Sequence, residues 1–94
     1  MRVRSVGAIA MSKKYKRTTE LNDKQSPSTG SCTAFYGKSP WKGFKSPYMF
    51  FEVADCGSKV RLHNSRLDKR DVFIKKMKRL RNELDRFIVF LDDV

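Results

Sequence analysis

Apolar positions in the last third of the chain recur at Phe73, Met77, Leu80, Leu84, Phe87, Leu91 and Val94. The steps alternate between four and three residues, the spacing of the narrow ridge that two helices bury against each other. A strand would alternate every second residue, so this pattern predicts one long amphipathic helix over 66–93. Ser65 and Asp68 stand where helix-capping side chains belong, and neither Gly nor Pro interrupts the chain from 65 onward. Residues 87–91, Phe-Ile-Val-Phe-Leu, also satisfy a short buried strand. The helical reading is preferred because the ridge keeps its register through Val94. A helix apolar on every side belongs in a core or an interface, so Phe73, Met77, Leu80, Leu84, Phe87 and Leu91 are candidates for a dimer or partner interface.

A second pattern precedes the helix. Residues 48–54 and 59–63 alternate around 55–58, Asp-Cys-Gly-Ser, which has turn chemistry. This predicts a β-hairpin over 48–63. Phe51, Val53, Val60 and Leu62 should share the face packed on the helix, and Lys59, Arg61 and His63 the other. Upstream, residues 35–47 carry aromatic rings separated by lysines, with two Lys-Ser-Pro-aromatic runs seven residues apart. Proline discourages helix in the residue before it, so this stretch is expected as extended chain and turns.

Residues 1–31 read differently. Two Arg and a short apolar stretch open the chain, followed at Met11 by what resembles a second translation start. Residues 12–31 are polar and end in a Ser/Pro/Gly run, with Lys13, Lys14, Lys16 and Arg17 clustered around Tyr15. Such a segment buries too little apolar surface to order itself. The expected organisation is therefore a disordered basic segment over 1–31 and a small single α+β domain over 32–94, a hairpin packed on one long C-terminal helix.

Charge changes the functional picture. The chain carries 21 Lys and Arg against 10 acids, a net charge of +11. That is the footprint of a protein that meets phosphate. The cations concentrate in the first half of the predicted helix, eight against two acids over 65–82, and the balance reverses over 83–94. Helix electrostatics favours the opposite arrangement. The candidate nucleic-acid contacts are Lys69, Arg70, Lys75, Lys76, Lys78, Arg79 and Arg81 on the helix, and Lys59 and Arg61 on the hairpin. Trp41 and Tyr48 are candidates for stacking on unpaired bases.

Catalytic chemistry finds little material. The two cysteines, Cys32 and Cys56, and the single histidine, His63, lack metal-ligand spacing, and no Gly-rich phosphate loop is present. No cofactor and no metal is expected. The primary expectation is a non-enzymatic, intracellular nucleic-acid-binding accessory or regulatory protein, for DNA or RNA, with a homodimer or a large protein partner and no membrane. Two alternatives stay open. One is a protein-binding modulator of phage or mobile-element type that docks its helix on a large nucleic-acid-processing machine. The other is a small RNase toxin working through Arg, Lys and Tyr.

Overall fold

The computed structural model describes residues 14–40, 47–65 and 69–94. Four antiparallel strands form one meander in the order β1-β2-β3-β4, and a long helix follows. The strands are β1, Tyr15–Glu20; β2, Gly30–Gly37; β3, Tyr48–Asp55; and β4, Ser58–His63. The helix α1 spans Arg70–Asp93, 24 residues or roughly 36 Å of rod. The architecture is α+β in a small single domain.

The β3–β4 hairpin forms as its alternation predicts. Phe51 pairs with Leu62 and Val53 with Val60, so those four side chains share one face of the pleat. Glu52 pairs with Arg61 and Ala54 with Lys59 on the opposite face. The connection is a two-residue turn at Cys56 and Gly57, with φ of 46° and 88°. Two consecutive left-handed residues twist in the sense that joins antiparallel strands. Glycine carries the second of them without steric cost.

Residues 15–20 and 30–37 depart from expectation. The flexible basic tail was expected to run through 31, yet Tyr15–Glu20 pairs in register with residues 31–36. Every side chain of β1 is exposed, so no hydrophobic alternation marks it. Its stability comes from ladder hydrogen bonds and from extended-favouring Tyr and Thr residues, with Thr18 and Thr33 hydroxyls 2.9 Å apart across the pair. Lys16 and Arg17 charge this outer edge, which discourages pairing with other chains. The aromatic stretch likewise begins in a strand, since Phe35 and Tyr36 belong to β2 and pair with Phe50 and Met49. Trp41, Phe44 and the second Lys-Ser-Pro run up to Ser46 lie outside the described residues, as does Asp68.

The helix begins at Arg70, four residues after the expected start at 66. Lys69 is the N-cap residue and makes no side-chain capping bond; its carbonyl accepts from Val72 and Phe73 at 3.0 and 3.4 Å. Asp71 supplies the acid of the first turn, and the last turn holds no base. Residues 87–91 are helical, as the register of the ridge requires.

The core is thin. Tyr48, Met49 and Phe73 are the buried hydrophobic side chains among the described residues, and no described side chain is fully buried. Phe73 is therefore a core residue of its own chain. Its place in the ridge made it an interface candidate, but it lies where α1 meets the sheet. Phe51, Ile74, Met77 and Leu80 border the same junction along an open groove. Beyond Leu80 the ridge has no intramolecular cover: Leu84 is 51% exposed, Phe87 58% and Leu91 53%.

Asn64 closes the junction. It is 3% exposed. Its side-chain oxygen accepts from the Met49 N–H at 2.9 Å, and its amide donates to the Pro47 and Ser65 carbonyls at 3.3 and 3.4 Å. Its backbone N–H donates to the Met49 carbonyl at 3.3 Å. Lys76 then ties the first turns of α1 to the sheet by donating to the His63 carbonyl at 3.3 Å. Asn64→Ala leaves the Met49 N–H without its partner, and a buried donor in that state costs about 1–3 kcal/mol. Urea unfolding of Asn64→Ala is expected to show a loss in that range.

Candidate nucleic-acid interface

The sheet has two unlike faces. The inner face carries Phe51, Val53, Val60 and Leu62 and meets α1 near Phe73. Strand register builds the outer face in cross-strand rows: Lys16, Phe35, Phe50 and His63 form one, and Thr18, Thr33, Glu52 and Arg61 the next. Phe35 and Phe50 stack with centroids 5.2 Å apart and planes 15° from parallel. Gly37 makes room for this stack, because a Cβ there would come within 2.8 Å of the Phe35 ring.

Arg61 locks the outer face together. Its Nε donates to Glu52 Oε1 at 2.8 Å, and a second nitrogen lies 3.4 Å from the Tyr48 hydroxyl. The guanidinium carbon sits 3.7 Å above the Phe50 ring centroid, a cation–π contact. The hydrogen bonds to Tyr48 and then to Glu52 hold the Arg61 pKa above its ordinary value. Lys59 reaches the other Glu52 oxygen at 4.0 Å. Both hairpin cations proposed as phosphate contacts are thus engaged by one carboxylate of their own chain. Tyr48, a candidate for base stacking, is 7% exposed and packs against Phe35 and Phe50. It belongs to the framework of the outer face. Trp41 lies outside the described residues.

The helix cations do not form one patch. At 3.6 residues per turn, Lys75, Lys78 and Arg79 fall together on the side opposite the ridge, with Arg86 two turns on. Arg70 and Arg81, eleven residues and three turns apart, flank the ridge on one side. Lys76 flanks the other side and is bonded to the sheet. All seven, with Lys69, are exposed. Among the described residues the ion pairs join Glu52 to Lys59 and Arg61, and Glu83 to Arg86 at 3.9 Å. None involves Lys69, Arg70, Lys75, Lys76, Lys78, Arg79 or Arg81. The hairpin cations lie on the sheet's outer face, whereas α1 meets the inner face beside Phe51 and leaves Val53 and Val60 exposed, so the two sets of cations do not merge.

Sequence reasoning named Lys16 in a basic cluster without the strand that places it on the outer face, and it missed the Phe35–Phe50 stack. The first sits on an all-exposed edge strand with no apolar signal. The second is a cross-strand pair between residues fifteen apart, visible only once the β2–β3 register is known.

Among the described residues no group of three or more His, Cys, Asp and Glu side chains is placed to hold a metal ion, and no helix is long and apolar enough to cross a membrane. The chain matches no protein-family model, no curated protein and no solved structure.

The Arg61 contacts carry their own prediction. A lysine keeps the charge but loses the planar fork that reaches Glu52 and Tyr48 while lying on Phe50. Arg61→Lys should therefore cost about 0.5–1.5 kcal/mol, close to Arg61→Ala. Lys59→Ala, which removes a long, largely exposed ion pair, should stay within about 0.5 kcal/mol of the parent. Chemical denaturation of the three variants checks the ranking.

Proposed function

We propose that the chain is a small non-enzymatic accessory or regulatory protein of the cell interior that binds nucleic acid, DNA or RNA, through its phosphates. The observation that carries this reading is the outer row of α1. Lys75, Lys78 and Arg79 are exposed, mutually adjacent, and have no carboxylate at ion-pair distance among the described residues. Like charges at helical neighbour spacing repel one another, so the row is costly until a polyanion compensates it. A phosphate backbone supplies closely spaced charge and releases condensed counterions on binding. Lys69, Arg70 and Arg81 broaden the positive field around that row. Lys59 and Arg61 contribute less, because Glu52 already offsets part of their charge.

Contact mainly to phosphate fixes position on the strand and carries little sequence information. Weak sequence preference and strong salt dependence follow. Fluorescence anisotropy with labelled duplex and single-stranded oligonucleotides, over a salt series, should show log K falling linearly with log salt. Replacing Lys75, Lys78 and Arg79 together by Gln removes three phosphate contacts and should make the duplex slope shallower by about 2.7. A flat response in the parent protein rejects the reading. The labelled RNA should remain intact on prolonged incubation, and cleavage would favour the nuclease alternative.

A further inference from the structure

We infer that the uncovered apolar end of α1 is a self-association surface, occupied by α1 of a second copy of this chain running antiparallel to the first. The fold creates the need. Seven apolar residues of the last eleven, from Leu84 to Val94, are more than half exposed. Together they present several hundred Å² of apolar surface. A stable interface covers about 800 Å² on each partner, and single chains rarely leave patches of this size open. The monomer has little else to hold it, with three buried hydrophobic side chains among the described residues.

Register identifies the occupant. In an antiparallel helix pair, the two kinds of ridge position face each other. Applied to this ridge, that rule sets Leu84 level with Phe87 of the second copy, Leu80 with its Leu91, and Met77 with its Val94. Met77, Leu80 and Leu84 line the open groove beside Phe51, together with Phe73, Ile74, Lys78 and Arg81. The groove left by one chain is thus the seat for the exposed helix end of the other, and the two-fold axis makes the exchange mutual. Ile88 and Phe90 flank the seam and are covered at its margins. Val89 lies on the far side of the rod and stays outside a two-helix contact.

Charge selects the orientation. From Arg70 to Arg81 the helix carries six cations and one acid, Asp71; from Glu83 to Asp93 it carries four acids and one cation, Arg86. In this register residues 77–81 of each helix run beside residues 90–94 of the other, which brings Arg81 alongside Asp92 of the second copy, whereas parallel pairing would oppose like charges over the whole length. Packed helices lie about 8–10 Å apart, near the Debye length of about 8 Å at physiological salt, so the block charges still act across the seam. The same pairing gives Asp92, near the end of a helix whose dipole disfavours it, a positive neighbour in Arg81 of the second copy. Nucleic-acid binding is not required, since Lys75 and Arg79 lie on the side of the helix opposite the ridge.

Full-length protein is stripped of nucleic acid in high salt and its mass measured by light scattering and sedimentation over a concentration series. The expected mass is twice the 11.0 kDa of one chain. Phe87→Glu with Leu91→Glu should halve the mass while the far-ultraviolet dichroism retains its strand and helix signals. Neither residue borders the groove with the sheet, so the fold does not depend on them. Orientation is read in a background lacking Cys32 and Cys56. Met77→Cys and Val94→Cys proteins should form a disulfide with each other on mixing and oxidation, and little with themselves. A single-chain mass at the highest concentration, or a mass above two chains, overturns the proposal, as does self-cross-linking of Met77→Cys.

Discussion

Phe73 and Lys76 tie the helix to the sheet, and Asn64 fixes the chain at the corner between them. Phe73 enters the sheet's inner face beside Met49, and Asn64 bonds the backbone on both sides of the place where β3, β4 and the approach to the helix converge. Tyr48 backs the same region from the outer face through Phe35 and Phe50. A domain of this size recovers only about 60% of its unfolded surface. Concentrating burial at one corner leaves the rest of the helix as a rod carried by its first turns. That constraint explains the contrast between a firmly docked start of α1 and an end with no cover of its own.

The meander gives the two surfaces separate duties. Its inner face is apolar and only partly covered by the helix, with Val53 and Val60 exposed at the far side. Its outer face is knit by hydrogen bonds and ring contacts around Glu52 and Arg61, and presents a nearly neutralised surface. The cations of the first half of α1 have no ion pair among the described residues. A single element thus carries both a row of exposed cations and the uncovered end of the ridge. Their positions differ by about half a turn of the helix, so one binding event need not exclude the other.

Where the sequence spoke clearly, it did so through periodicity. Phe51, Val53, Val60 and Leu62 alternate, and the hairpin follows with its pleat and turn in place, although Val53 and Val60 stay exposed instead of packing on the helix. The four-three steps from Phe73 to Val94 likewise outline a helix through residues 87–91 despite their strand-like composition. Tyr15–Glu20 gave no such signal because an edge strand exposed on both faces needs no apolar alternation. Phe35 and Tyr36 read as loop because the neighbouring Ser-Pro runs outweighed two aromatic positions. The site was legible in kind, as a basic helix, but its division was not. Whether Arg61 meets a phosphate or Glu52 depends on which residue lies across the strand pair, and Tyr48 became framework through neighbours that are distant in sequence.

The two strand connections differ in how they tolerate a change of length. Between β1 and β2 the chain runs over nine residues, 21–29, exposed apart from the half-buried Ser26. Inserting a residue there only lengthens a surface excursion, since closure entropy grows slowly with loop size. Between β3 and β4 there are only Cys56 and Gly57. One added residue that slipped the pairing by a single position would turn β4 over. Val60 and Leu62 would then point at the aromatic outer face, and Arg61 would point at the helix. Indels in descendants of this sequence should accordingly collect in the first connection and spare the second.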